Sequence, residues 1–138
     1  MLPGLLHTLA SNRSLPLPLK LFEVQDVVLK DPLKDVGASN HRRVCAVHYN
    51  KNSGFEIIHG LLDRLMQLLQ VESVLFKTKP KLSGDNNPTY LAGRCANIIL
   101  EPGNRIIGRL GILHPEVLKN FELVMPCSAL DLDLEVFL

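Results

Sequence analysis

Apolar residues mark out the elements of this chain before any chemistry is considered. Over residues 5–14, Leu5, Leu6 and Leu9 recur at helical spacing, which predicts a short helix after the Pro3-Gly4 pair. No strand or cap precedes it, and so abrupt a start predicts that the chain was cut from something longer. Pro16 and Pro18 end the helix and lead into extended backbone. Residues 19–30 (LKLFEVQDVVLK) alternate and then run apolar, the pattern of a mostly buried strand. Asp31-Pro32 and residues 35–40 read as a polar connection, residues 43–49 (RVCAVHY) as the next strand, and residues 50–54 as a loop.

The strongest helix signal spans residues 55–70. Phe55, Ile58, Leu62, Leu65 and Leu69 form its apolar stripe, widened by Leu61, Met66 and Leu68. Ser53 followed by Glu56 has the spacing of a capping box. Residues 71–77 predict a strand and residues 80–88 a polar loop. Residues 94–100 and 105–113 predict a hairpin across Glu101-Pro102-Gly103-Asn104. Pro115 suits the first position of a short helix. In residues 130–136, Leu130, Leu132, Leu134 and Val136 alternate with Asp131, Asp133 and Glu135, which predicts a half-buried last strand. Successive strands on short connections imply an antiparallel sheet with helices on it, so the expected class is α+β. At 138 residues the chain is read as a single domain over 1–138.

Composition narrows the choices. The apolar share of 46% without a Trp requires a core of Leu, Ile and Val. A formal charge of +1 offers no broad basic face for nucleic acid. The densest basic spots, His41-Arg42-Arg43 and Lys77-Thr78-Lys79-Pro80-Lys81, read as loop or strand-edge charges. Cys45, Cys95 and Cys127 are far apart, without a CxxC, and sit among apolar neighbours, which points away from zinc and toward a reduced cytosolic compartment. No apolar run approaches the roughly 20 residues of a membrane helix.

Catalytic patterns are missing. His7, His41, His48, His59 and His114 show no HxxxH or HExxH spacing. His59 and Asp63 stand one helical turn apart, and a surface ion pair explains them better than a base and its orienter. His114 before Pro115 reads as a cap. Gly108-Arg109-Leu110-Gly111 precedes no GK[ST]; glycines in such a strand mark a bulge or a close backbone approach. Asp131, Asp133 and Glu135 alternate on one strand face and read as a solvated face. No catalytic, metal-binding or cofactor-binding residue is therefore assigned, and Gly108, Gly111, His114 and Pro115 are taken as structural.

Several stretches carry a resemblance when taken together and in order. They are Leu2-Pro3-Gly4-Leu5-Leu6, Pro18-Leu19-Lys20-Leu21-Phe22-Glu23-Val24, and Gly54-Phe55-Glu56-Ile57-Ile58-His59-Gly60-Leu61-Leu62-Asp63. Gly93-Arg94-Cys95-Ala96, Gly108-Arg109-Leu110-Gly111-Ile112-Leu113-His114-Pro115-Glu116 and the ending from Phe121 onward complete the set. Over nearly its whole length the chain resembles the C-terminal, catalytic-like module of phenylalanyl-tRNA synthetase beta subunits of the archaeal and eukaryotic cytosolic type.

That resemblance implies a core of the class II aminoacyl-tRNA synthetase kind, an antiparallel sheet flanked by helices, that does not itself activate an amino acid. ATP, Mg and phenylalanine are expected in the alpha subunit of the whole enzyme, with no cofactor in this domain. The implied partners are the alpha subunit and the rest of the beta subunit, with weak or indirect tRNA contact and a cytoplasmic location. A working core of this type needs fixed cations beside the adenylate. Around Phe22-Glu23 the strand offers only Lys20 and no FRxE, and residues 108–111 do not reproduce the second arginine's glycine-rich strand. Leu2, Leu5, Leu6 and Leu9 are expected to bury against a partner, because the stripe lies too near a chain end to be covered locally. The competing reading is a free-standing paralogue that binds an amino acid or adenylate in the old cleft.

Overall fold

The computed structural model describes residues 2–69, 74–78, 89–100 and 105–137. In chain order the elements are α1 (Leu2–Ser11), β1 (Leu19–Lys30), β2 (Ala38–Tyr49), α2 (Phe55–Leu68), β3 (Val74–Thr78), β4 (Tyr90–Leu100), β5 (Arg105–Leu113), α3 (Pro115–Asn120) and β6 (Cys127–Asp133), then a 3-10 turn (Glu135–Phe137). The six strands form one sheet in the order β1-β2-β6-β5-β4-β3, and every neighbouring pair is antiparallel. The fold is the expected one, an antiparallel sheet with flanking helices.

Strand parity divides the core into two layers. On β2 and β6, Cys45, Val47, Tyr49, Cys127 and Ala129 point to the side covered by α1 and α3. Val44, Ala46, Leu130 and Leu132 point to the side covered by α2, where Ile58, Leu62 and Met66 meet them. All six residues from Val44 to Tyr49 are buried, which is why this stretch reads as continuously apolar: both its faces are covered.

The leucine stripe of α1 corrects one expectation. Leu5, Leu6 and Leu9 are buried at 6%, 1% and 0% exposure against the chain's own sheet and α3, and Leu2 packs half-buried beside them. The stripe is covered locally because β2 and β6, distant in sequence, bring an apolar sheet face beneath it. Three of the four residues are therefore covered mainly from within the chain.

Element boundaries move for identifiable reasons. α1 begins at Leu2, not Leu5, with Pro3 in its first turn, where a missing N–H costs nothing, and it ends at Ser11. β2 begins at Ala38, five residues before the apolar pattern starts, because residues 38–42 pair with the far half of β1. That ribbon lies beyond both helices, so no burial pattern marks it; Arg42 Nε donates to Asp26 Oδ1 across it at 2.8 Å. The connection is correspondingly shorter, closed by Gly37 at φ 71° and by Asp31 N donating to the Gly37 carbonyl at 2.9 Å. The capping box does not form. Gly54 is the N-cap of α2, at φ 65° and without a side-chain cap, while the Ser53 carbonyl accepts from the Ser128 hydroxyl. β4 extends back to Tyr90 through an irregular stretch before Cys95. β6 ends at Asp133, and Leu134, Val136 and Phe137 then turn under α2. The expected turn at 101–104 and loop at 80–88 lie outside the described residues.

Candidate functional site

The sheet face beneath α1 carries a polar row built by register alone. Glu23, Cys45, Asp131, Arg109 and Asn97 are successive cross-strand partners on β1, β2, β6, β5 and β4. Directly opposed residues stand about 5 Å apart, so the row is continuous. Arg43, diagonal to it, donates from Nε and Nη2 to Asp131 Oδ1, both at 3.1 Å, with the two side chains 25% and 39% exposed. The Asn97 Oδ1 is buried without a hydrogen-bond partner. A cleft of about 320 Å³ opens beside the row, with Tyr90, Arg109, Asp131, Leu6 and Phe121 among its walls.

The chemistry of this row is muted. Burial pushes the Cys45 thiol up to about 12, and the Asp131 carboxylate adds to the effect. Burial likewise raises the Tyr90 phenol, again with Asp131 contributing, and pushes the Cys127 thiol up to about 12. Neither thiolate nor phenolate is present near neutral pH, so these groups are packing residues and not nucleophiles. The Arg43 guanidinium is occupied by Asp131. Among the described residues no cluster of three His, Cys, Asp or Glu is placed to hold a metal ion.

The residues singled out by sequence are scattered over the fold. Gly108 and Gly111 lie buried in β5. A Cβ on Gly108 would run into the Asp131 carbonyl, and one on Gly111 would stand 2.7 Å from the Arg94 carbonyl. The β4–β5 register slips beside Gly108, where Ile98 pairs with Gly108 and Ile99 with Ile106, leaving Ile107 extra. His114 is the N-cap of α3, accepting at Nδ1 from Glu116 N at 3.1 Å, with Pro115 at the first helical position. His59 Nδ1 and Asp63 Oδ2 pair at 3.2 Å on the outer side of α2. Lys20 points to the α2 side, away from the polar row, as the partner of His48.

Two features escaped the sequence. Arg43 and Arg109 place cations on the α1 side of the sheet, although the chain seemed to lack them there; only register brings them together. His48 was set aside with the other histidines, yet it is 1% exposed and neither ring nitrogen has a hydrogen-bond partner. Burial, and then Lys20, lowers its pKa, which favours the neutral ring. A side chain on Gly54 would overlap the imidazole. The available signal was parity: Val44, Ala46 and His48 share one face of β2.

A family model described as "Phenylalanyl tRNA synthetase beta chain CLM domain" matches residues 1–134. The chain belongs to that family. It is similar to the phenylalanine–tRNA ligase beta subunit of Mus musculus, 55% identical over the whole chain and 23% of that protein. The cytoplasmic beta subunit of Arabidopsis thaliana is 44% identical, again over the whole chain and 24% of the relative. The chain thus spans about a quarter of the length of these relatives. Among solved structures, the pyrrolysyl-tRNA synthetase of Desulfitobacterium hafniense superimposes with a TM-score of 0.71 over 98% of this chain and 45% of that one, at 11% identity. That likeness establishes a sheet-and-helix fold of the class II synthetase type for this beta-chain family.

Proposed function

We propose that this domain is the catalytic-like module in the C-terminal part of a phenylalanine–tRNA ligase beta subunit, and that it is a structural and assembly module without an active site of its own. The alpha subunit is its partner, together with the rest of the beta chain. ATP-dependent charging of tRNA(Phe), with Mg, then takes place in the alpha subunit. The location is cytoplasmic, in keeping with the name of the Arabidopsis relative and with the absence of any helix long and apolar enough to cross a membrane among the described residues. Contact with tRNA is weak or indirect, in keeping with a net charge of +1.

One observation carries the non-catalytic reading. On the sheet face beneath α1, Leu5, Leu6 and Leu9 fill one half, and in the other half Arg43 is paired with Asp131. A nucleotide needs unpaired, preorganised cations aimed at its phosphates. Arg43 does not meet that requirement and Arg109, on the cleft wall, remains a single cation, while relatives that are ligase subunits do not favour a free-standing adenylate-binding paralogue.

The test uses the full-length beta polypeptide co-expressed with the alpha subunit, with light scattering for assembly and tRNA charging for activity. The double variant Arg43→Ala, Arg109→Ala is expected to assemble and to charge tRNA within about twofold of the parent, under 0.5 kcal/mol of barrier. A loss of two orders of magnitude in kcat in an intact assembly would overturn the reading.

A further inference from the structure

The cleft beside the start of α1 holds two opposite charges that leave each other unpaired. Arg109 on β5 and Asp131 on β6 are direct cross-strand partners on one face of the sheet. Residues so opposed stand about 5 Å apart, close enough for an ion pair. Yet Arg109, half-buried, makes no hydrogen bond and no ion pair among the described residues. Asp131 commits only Oδ1, to Arg43, and its side chain stays 39% exposed. Around them the cleft, about 320 Å³, is walled by Leu2, Pro3, Leu6, Val117 and Phe121. A guanidinium and a carboxylate oxygen side by side match a group that accepts at one end and donates at the other. A peptide unit does both, with its carbonyl toward the cation and its N–H toward the anion.

We propose that the stretch of polypeptide directly preceding Leu2 in the longer beta chain runs in extended form through this cleft. It sets a backbone carbonyl on Arg109 and an amide N–H on Asp131, and rests an apolar side chain against Val117 and Phe121. The old cleft is then closed by the beta chain itself. The inference rests on the reading of this region as the C-terminal part of a beta subunit, which puts more of that chain before it.

The placement of α1 favours this occupant over a segment of the alpha subunit. Leu2 and Pro3, the first residues of the helix, are themselves walls of the cleft, so a chain leading into α1 arrives at its mouth. An extended residue covers about 3.3–3.6 Å and neighbouring strands lie about 4.8 Å apart, so a few residues suffice to pass both charges. So short a tether holds the segment at an effective concentration in the millimolar range, with which a segment of another chain has to compete. The relatives carry roughly three-quarters of their length outside the region matched here, which supplies the residues. A phosphate fits worse, because the Asp131 carboxylate stands directly beside Arg109 and repels it.

The test uses the full-length beta chain purified with its alpha subunit. A benzophenone amino acid replaces Phe121 on the cleft wall, and Val124, 87% exposed, is the control position. The expected result is a several-fold excess of photo-crosslinks over the control, mapping to the short stretch directly before Leu2 on the same polypeptide. Phenylglyoxal labelling of the unsubstituted complex gives a second reading that no substitution disturbs: Arg109 should react several-fold more slowly than in the same protein unfolded in urea. The inference is overturned by crosslinks to the alpha subunit, to a second beta chain, to a distant part of the same chain or only within this region. It is equally overturned by none above control, or by an Arg109 that labels at its unfolded rate. Failure of the beta chain to purify with alpha at all would instead overturn the functional reading on which it rests.

Discussion

Replacing Leu9 with alanine separates a helix that completes its own domain from one that waits for a partner. Leu9 is fully buried between α1, the sheet and α3. Removing three carbons from such a site loses their transfer free energy and leaves a cavity that the rigid sheet beneath cannot close, a cost of about 3 kcal/mol. Alanine is the better helix former by a few tenths of a kcal/mol, so propensity works slightly against the loss. With an unfolding entropy near ~2.1 cal/mol/K per residue, a chain of this size should lose about 10 °C in Tm. Thermal unfolding of the isolated chain followed by far-UV circular dichroism reads this directly, and the buried Tyr49 and Tyr90 give a near-ultraviolet signal for tertiary packing. His7→Ala, on the exposed side of the same helix, is the control and should stay within about 0.5 kcal/mol of the parent. The reasoning is refuted if Leu9→Ala is as stable as the control by itself but fails to assemble with the alpha subunit. That result would mean α1 is undocked in the free chain and reserves its stripe for the partner.

Gly111→Ala should cost about 2 kcal/mol or more in a urea titration, because the new Cβ meets the Arg94 carbonyl within a paired sheet. Gly4→Ala, with open space around it near the start of α1, should be neutral or mildly stabilising in the same titration. Both buried thiols have folded pKa values raised to about 12, so the stabilisation they carry is present below the unfolded value near 9 and is lost as pH climbs toward 12. Stability should accordingly fall by up to about 1.4 kcal/mol per pH unit for each thiol across that window, and Cys45→Ala should flatten the profile. His48 has the opposite sense: its folded pKa is depressed, so its contribution is complete above the unfolded value and declines as the solution is acidified below it. His48→Gln should reduce that acid-side slope in denaturation curves collected at several pH values.

What could be read from the sequence was what local pattern encodes. The stripe of α2 and the alternation in β6 each arise from one element against one surface, so the amphipathic period names both the element and its buried face. The first half of β2 was invisible because Asn40 and Arg42 pair with Val28 and Asp26 in a ribbon that no helix covers. The local cover of the α1 leucines was hidden for a different reason. A helix near a chain end looks short of cover only until β2 is paired with β6, some 80 residues further on. Arg43 and Asp131 are 88 residues apart, so their pairing, and with it the neutralised polar row, could not be foreseen from spacing. Gly54 replaced the expected Ser53 cap because the imidazole of His48 occupies the space a side chain would need there.

The two faces of the sheet differ in how far the chain's own side chains fill them. A catalytic sheet must leave one face open, floored by charges with no partner inside the protein, and that openness is destabilising. Here the face beneath α1 is largely filled: leucines occupy one end, Asp131 satisfies Arg43 in the middle, burial holds the thiols protonated, and a cleft with Arg109 in its wall remains beside them. That filling turns much of the face into core, which stabilises the module. A second opening lies on the opposite face, at β1, where Phe22, Val24 and Val28 are exposed beside Lys20. Apart from Lys20 the cleft is walled by apolar groups, a surface suited to burying an apolar segment of protein. The two faces thus differ in kind, one mostly core and the other bearing an exposed apolar strand, and that contrast is what favours assembly as the proposed role.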